Sequence, residues 1–246
     1  IIKTFDEDYD SRLMMYLLSS PIQDGGQWDM FVNLIEKYGV LPQSVMPETF
    51  QSSQSGMMNR LITRKLREFA WTLRSMNEKG AKLTEIRKTK EEMMSTVYSM
   101  LCMFLGNPPE EFDWQARDKK KKFVRLSGLT PIEFYRKYAD IKLRDKVCLI
   151  HAPMSNKSMN ELYTVSFLGN VTDGEIIKYA NVEIDDMKRA AIKSIRSNEA
   201  VWFGCDVGKM FHRELGVMDM ELYDYEALLR TKFHMDKGKR LEYGDS

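Results

Sequence analysis

A short glycine-containing stretch near the start of the chain, QDGGQWDMFVNLIEKYGVLP at residues 23–42, decides how the sequence is interpreted. After the Gly-Gly pair, apolar side chains recur every three or four positions, at Trp28, Phe31, Ile35 and Tyr38. This spacing predicts a helix with one apolar face, which Gly39 ends. Gly25 and Gly26 would therefore lie at the mouth of that helix.

A Gly-Gly pair in this position has two interpretations. In the first, the absence of side chains leaves backbone N–H and C=O groups open to an extended peptide from another chain. In the second, Gly25 and Gly26 simply make a tight turn into the helix. From spacing alone, the tight turn is the more common explanation.

On either side of this stretch the sequence predicts more helix. Apolar residues from Phe5 to Leu18 indicate a helix that Pro21 stops. Residues 52–106 predict a helical hairpin, whose first helix ends at Gly80 and whose second ends at the GNPP sequence of residues 106–109. The apolar faces of the two helices are Ile62, Leu66, Phe69, Leu73 and Met76, and Ile86, Met93, Val97, Leu101 and Phe104.

The second half of the chain is predicted to contain more strands. A β-hairpin is expected around a lysine-rich tip at residues 119–122, and Thr130 begins a capping box before a short helix. Further strands are expected at residues 146–150, 162–167 and 182–184, then a helix capped by Asp185 and a buried strand at residues 200–203. The predicted fold class is α+β.

The amino-acid composition excludes several classes of protein. The 246 residues are 43% hydrophobic with a net charge of +1, which indicates a globular protein without an overall field for nucleic acid or membranes. The chain has no apolar run approaching about 18 residues and no signal-peptide pattern at its start. Three widely spaced cysteines argue against a disulfide framework or a zinc site and favour a reducing compartment, so we expect a cytoplasmic protein without metal or cofactor.

Six stretches of the sequence together resemble the bleomycin hydrolase family, also called aminopeptidase C, a papain-like family of cysteine peptidases. They are QDGGQWDM, EKYGVLP, LGNPP, PIEFY, LYTV and AVWFGCDVGK, and they occur in the family's order along the whole chain. The resemblance implies part of a papain-like fold with a large helical insertion. It also implies an activity that removes N-terminal residues from peptides with a free amino end.

The resemblance assigns roles to two sets of residues. In papain-like enzymes the loop equivalent to Asp24, Gly25 and Gly26 pairs with the substrate backbone beside the scissile bond. Phe203 and Gly204 resemble the strand that lines the neighbouring specificity pocket. The alternative for Phe203 is an ordinary core strand, because such a side chain would be buried in either case.

The catalytic groups of the family are not assigned to this sequence. The family uses a thiolate nucleophile, a histidine and an orienting asparagine, all of which we expect outside these residues. Cys205 lies in a setting that matches a structural strand, and His151, His212 and His234 lie outside the family's Thr-His-Ala setting. The alternative is a naturally inactive member of the family.

Two further features carry partner predictions. Lys119, Lys120, Lys121 and Lys122 form a basic run that could bind nucleic acid weakly, although a solvated hairpin tip is the usual explanation. The resemblance implies that the helical insertion helps to build a homohexamer, while its simpler role is packing within one subunit.

The predicted division of the chain has four parts. Residues 1–51 and 181–246 would belong to the papain-like domain, residues 52–110 to the helical insertion, and residues 111–180 to a region of hairpin and short strands. The function indicated is a cysteine aminopeptidase. The alternative is a non-enzymatic oligomerisation or nucleic-acid-binding protein on a degenerate peptidase fold.

Overall fold

Helices and short strands together build the chain, and the longest helices fall in its first half, which confirms the predicted α+β class. The computed structural model describes residues 1–22, 25–139, 141–205, 210–219, 221–233 and 235–244. The chain divides into two units. The first is Ile1–Ile141 with Asn170–Thr172, and the second is Lys142–Gly169 with Asp173–Ser246.

The first unit begins with a 3-10 turn at Ile2–Thr4 and continues through helices α1 (Arg12–Ser19), α2 (Trp28–Tyr38) and α3 (Phe50–Ser53). The predicted first helix therefore starts later than expected, because the Ser11 hydroxyl accepts a hydrogen bond from the Met14 N–H and caps α1 there. Helix α2 has the predicted bounds and ends at Gly39.

The predicted helical hairpin is present as α4 (Gly56–Glu78) and α5 (Leu83–Leu105). Met58 and Ile62 on α4 and Val97 on α5 are buried together in one cluster between the two helices. Ile22, from the segment before α2, packs against the same three side chains. The hairpin therefore shares a hydrophobic cluster with the residues that lead into the Gly-Gly loop.

A buried arginine joins the N-terminal segment to α4. Arg74 is only 6% exposed, and its guanidinium donates to the Thr4 carbonyl oxygen over 2.8 Å and to the Glu7 carbonyl oxygen. The same guanidinium lies 4.4 Å from the centre of the Tyr9 ring. Backbone carbonyls and an aromatic face thus compensate a buried charge that would otherwise be costly.

The predicted β-hairpin consists of β1 (Phe112–Arg117) and β2 (Phe123–Leu129), paired antiparallel with an irregularity near Phe112. Helix α6 (Pro131–Phe134) follows, with the predicted capping box at Thr130, and continues as a π-helical turn at Tyr135–Ala139. The Phe134 ring packs edge-on against Trp114, with ring centres 5.2 Å apart. This contact fastens α6 to the strands.

The second unit is organised around a small sheet in the order β3 (Leu149–Ile150), β5 (Tyr179–Asn181) and β4 (Glu161–Tyr163). Strand β5 runs parallel to β3 and antiparallel to β4. Helix α7 (Ile184–Arg196) follows, then β6 (Phe211–His212), β7 (Val217–Met218), α8 (Tyr225–Leu229) and α9 (Lys237–Tyr243). Within the described ranges, no helix is long and apolar enough to cross a bilayer.

Three details of the prediction for this unit are wrong. The strand expected at residues 182–184 lies instead at Tyr179–Asn181, and Glu183 rather than Asp185 occupies the N-cap position of α7, without a capping hydrogen bond from its side chain. Residues 200–203 form no strand, and the Trp202 and Phe203 side chains are 62% and 73% exposed. An apolar run predicts contact with other apolar groups, but it does not by itself supply a strand to pair with.

Candidate functional site

The Gly-Gly loop lies in the first unit, immediately before α2. Gly25 and Gly26 are exposed, and neither has φ in the left-handed region that favours glycine. A Cβ built on either residue would meet no described atom within 4 Å. Neither a left-handed conformation nor a close contact with a described atom therefore requires glycine at these two positions. Asp24 lies outside the described residues.

The helix that follows the loop is firmly held in its unit. Val32 and Ile35 are 1% and 8% exposed, so α2 buries one side, although Phe31 and Tyr38 of the predicted apolar face are exposed. The Trp28 and Phe31 rings, with centres 5.7 Å apart, pack together on the first turn. The Asn170 side chain also donates to the Met30 carbonyl oxygen over 3.1 Å. The helix that the loop enters at its C-terminal end is therefore held in place by these contacts.

The far end of α2 is fixed by a close backbone approach. Gly39 has φ of 76°, and a Cβ built on it would lie 2.2 Å from both the carbonyl carbon and the oxygen of Pro131. The next residue, Val40, donates its N–H to the same Pro131 oxygen over 3.2 Å. Only glycine satisfies this conformation and this contact together. This contact therefore fixes the end of α2 against the start of α6.

On the other side of the loop, the end of α1 is capped by a side chain from the α4–α5 hairpin. Arg67 on α4 donates from Nε to the Leu18 carbonyl oxygen and from a terminal nitrogen to that of Ser19, each over 2.7 Å. The packing of Ile22 is a second contact, so the α4–α5 hairpin is attached at two points to the segment before the glycines.

Phe203 and Gly204, the predicted specificity-pocket residues, lie in the second unit. They belong to an exposed segment without regular secondary structure, and a Cβ at Gly204 would meet no described atom within 4 Å. Phe203 thus presents an apolar ring to solvent rather than to a core within its unit. Gly208 and Lys209, just beyond, lie outside the described residues.

A buried asparagine organises a loop of the second unit that sequence reasoning missed. Asn181 is fully buried, and its Oδ1 accepts a hydrogen bond from the Ala152 N–H over 2.8 Å. Its Nδ2 lies 3.1 to 3.2 Å from the carbonyl oxygens of Ala152, Lys157 and Ser158. The available signal was an amide side chain at the end of an apolar strand, where such groups commonly close loops.

The C-terminal helix α9 packs on the same loop. Lys237 donates from Nζ to the His151 carbonyl oxygen over 2.5 Å, and Glu242 accepts from the Ser155 N–H over 2.7 Å. Hydrogen bonds from Ser155 hold the pKa of Glu242 below the ordinary glutamate value, and burial, assisted by Arg240, lowers the pKa of Lys237. Lys237 and Glu242 thus place two charged side chains against the backbone of residues 151–155.

The histidines and cysteines of the described chain lie in structural settings. The His151 Nδ1 is 3.0 Å from the Val182 carbonyl oxygen, and the His212 Nδ1 accepts from the Leu215 N–H over 3.3 Å. Cys205 is exposed, and the Cys102 sulfur lies 3.6 Å from the Asn107 side-chain oxygen. No group of three His, Cys, Asp or Glu residues within the described ranges is arranged to hold a metal ion.

The basic tip of the β-hairpin is ordered by a residue that the prediction overlooked. The Asp118 Oδ1 accepts hydrogen bonds from the N–H groups of Lys120 and Lys122, over 2.8 and 2.9 Å, and these bonds form the turn. The Arg117 guanidinium donates to the Lys121 carbonyl oxygen over 3.1 Å. All four lysines, including Lys119, are exposed.

Comparisons with known proteins extend over the whole chain. The family model described as Peptidase C1-like family matches residues 1–246. The bleomycin hydrolase of Homo sapiens is 43% identical over 243 residues, which cover 98% of this chain and 53% of that protein. The aminopeptidase C of Listeria innocua is 46% identical over 246 residues, covering 100% of this chain and 55% of that protein.

A solved structure is similar over the same extent. The crystal structure of PepW from Lactobacillus rhamnosis HN001 superposes with a TM-score of 0.96 at 44% identity, covering 100% of this chain and 55% of that one. The chain thus spans about half the length of the relatives it matches. The resemblance drawn from the six ordered motifs is confirmed, and the chain belongs to the Peptidase C1-like family.

Proposed function

We propose that the full-length protein containing this sequence is a cysteine-type aminopeptidase that removes N-terminal residues from peptides, and that these residues supply part of its substrate cleft. Membership of the Peptidase C1-like family and the names of the relatives support the peptidase class. The observation that carries the cleft assignment is the bare, exposed backbone of Gly25 and Gly26 beside an anchored helix.

The loop would bind substrate through its backbone. An extended peptide exchanges N–H and C=O hydrogen bonds with a neighbouring backbone when the two approach to strand-like spacing, about 4.8 Å. A Cβ built on Gly26 would meet no described atom within 4 Å, and we assign the space around it to the substrate. Asp24 leads into the loop and is included in the proposed cleft.

Phe203 and Gly204 would form one apolar wall of the pocket beside the scissile bond. An exposed phenylalanine ring next to a residue without a side chain offers a flat apolar surface for a substrate side chain. This assignment follows the family resemblance, and the 73% exposure of Phe203 weakens the alternative that it is a core residue.

The chemistry would be performed by a cysteine, a histidine and an asparagine outside these residues. In that mechanism the histidine takes the thiol proton, the thiolate attacks the peptide carbonyl, and the histidine returns the proton to the leaving amine. Cys205 would not be the nucleophile. We further propose, from the resemblance, a cytoplasmic homohexamer acting on peptides with a free amino end.

The cleft assignment is tested with Gly26→Asp in the full-length protein. We expect KM for a short peptide with a free amino end to rise about tenfold or more, because one or two backbone hydrogen bonds are blocked. The matched control is Gly169→Asp, since Gly169 is also exposed, with open surroundings and φ outside the left-handed region. An unchanged KM in Gly26→Asp, with the control also unchanged, would refute the cleft role.

The reaction class is tested on the same preparation. A thiol-alkylating reagent should abolish activity, and N-terminal acetylation of the peptide should prevent cleavage. Activity that survives alkylation would exclude a cysteine peptidase. Equal cleavage of the acetylated and free peptides would exclude an aminopeptidase.

A second candidate function is weak binding of single-stranded nucleic acid at the hairpin tip. The turn held by Asp118 presents four exposed lysines in one place, which favours phosphate contact. Four such contacts predict a slope of about −3 for the logarithm of affinity against the logarithm of salt concentration. Replacing Lys119, Lys120, Lys121 and Lys122 by alanine should abolish retention on single-stranded DNA at low salt. Absence of retention in the unmodified protein would dispose of this candidate.

A further inference from the structure

The segment that carries Gly25 and Gly26 leaves a helix whose end is capped from a distant part of the chain. Helix α1 ends at Ser19, and Ser20 departs from helical geometry before Pro21. The last carbonyl groups of a helix have no partners within the helix itself. Arg67, 48 residues further along the chain than Ser19, supplies partners for two successive carbonyls.

The geometry of this cap suits an arginine. The planar guanidinium donates from Nε and from a terminal nitrogen to the Leu18 and Ser19 oxygens, and both bonds measure 2.7 Å. Its positive charge also lies at the negative end of the α1 dipole. Lysine could supply the charge but not the two-pronged contact. The orientation of the final turn of α1 therefore depends on α4.

A second contact from the same insertion lies closer to the glycines. Ile22 packs on Met58, Ile62 and Val97 of the α4–α5 hairpin, three residues before Gly25. On the other side of the loop, Gln27 already occupies the N-cap position of α2. Between these fixed points lie four residues, at positions 23–26.

We infer that the helical insertion positions the Gly25–Gly26 loop for substrate, with Arg67 as its positioning residue. The inference rests on the proposed role of the loop in binding the substrate backbone. Glycine backbones lose the most conformational entropy on ordering, so an untethered Gly-Gly segment would bind a peptide weakly. Tethering at both ends removes part of that cost before substrate arrives. The insertion thus acts on substrate affinity from within its own subunit.

The position of Arg67 allows this role to be separated from folding. Arg67 is exposed on α4, whereas Met58 and Ile62 hold the buried side of the helix. Replacing Arg67 removes two hydrogen bonds and leaves the hydrophobic cluster in place. Arg64, also exposed and one turn earlier on α4, provides a control that removes the same charge from the same helix.

The experiment compares Arg67→Ala, Arg67→Lys and Arg64→Ala in the full-length protein by two readouts. The first is the rate of backbone hydrogen exchange in the peptide spanning residues 18–27. We expect this rate to rise about fivefold in Arg67→Ala because the cap of α1 is lost. The second is steady-state kinetics, in which KM should rise about fivefold with kcat changed less than about twofold, since binding rather than chemistry is affected. Arg67→Lys should be intermediate, and Arg64→Ala should match the unmodified protein.

Each result decides a different point. Unchanged exchange at residues 18–27 in Arg67→Ala overturns the inference, whatever the Gly26 variant shows. Faster exchange with an unchanged KM also overturns it, because the tether would then not influence substrate. If Gly26→Asp still raises KM in that case, the proposed function stands without the inference. Should Arg67→Ala fail to fold, Arg67→Lys carries the same two readouts with the charge and aliphatic stem retained.

Discussion

Replacing Gly39 by alanine should loosen the junction between α2 and α6. Gly39 has φ of 76°, and an added Cβ would lie 2.2 Å from the Pro131 carbonyl carbon and oxygen. The left-handed conformation costs an alanine about 1–2 kcal/mol. Forcing a methyl group into packed backbone adds about 1–3 kcal/mol. The sum is about 2–5 kcal/mol, reduced by up to about 1 kcal/mol because alanine also restricts the unfolded chain.

Gly80→Ala is the matched control, because Gly80 has φ of 78° and open space around the added Cβ. The Gly80→Ala variant carries the cost of placing alanine in the left-handed conformation but has no close contact equivalent to that between Gly39 and Pro131. The rate of hydrogen exchange at residues 35–40 and 131–134 of the full-length protein should then rise by about fivefold or more in Gly39→Ala. Gly80→Ala should leave these segments unchanged. Equal exchange there in the two variants would refute the argument that the close approach to Pro131 requires glycine.

Two further predictions concern the loop of the second unit. Asn181→Leu should destabilise residues 152–158 by about 2–4 kcal/mol, because several backbone groups lose a buried partner, and limited trypsin digestion should then cut faster after Lys157. The depressed pKa of Glu242 means that its contact with Ser155 stabilises the fold above the glutamate's unfolded pKa and is lost as pH falls through the lower folded value. The rate of hydrogen exchange at residue 155, corrected for its intrinsic pH dependence, should therefore rise in the unmodified protein as the pH falls through that lowered pKa. Glu242→Gln should remove that pH dependence, and persistence of it would contradict the assignment.

The long helices could be predicted because their signals are local. In α2, α4 and α5 the apolar side chains recur every three or four residues. Each helix is followed within two residues by a glycine, at Gly39, Gly80 and Gly106 respectively. Each signal lies within a few residues of the element that it defines. The bounds of these helices therefore agree with the prediction to within a few residues. The four-part division of the chain stays a prediction.

The contacts around the candidate site could not be predicted because they join distant residues. Arg67 meets Ser19 and Gly39 meets Pro131 only after the chain has folded. The sequence alone also did not decide whether the Gly-Gly pair forms a tight turn or part of a substrate cleft, because both interpretations require glycine at the same two positions. The surroundings of Gly25 and Gly26 leave room for an extended peptide, and the cleft role stays a proposal.

The irregular segments of this chain share one means of stabilisation, which predicts where mutations will show their effects. Arg74 bonds the carbonyls of the N-terminal segment, Arg67 those at the end of α1, and Asn181 those of residues 152–158. In each case a side chain from a regular element satisfies backbone groups that no helix or strand can satisfy. Removing such a side chain frees the segment but leaves the supporting helix or strand hydrogen-bonded within itself. Substitution at an exposed anchor such as Arg67 should therefore appear in local exchange and in KM before it appears in global unfolding.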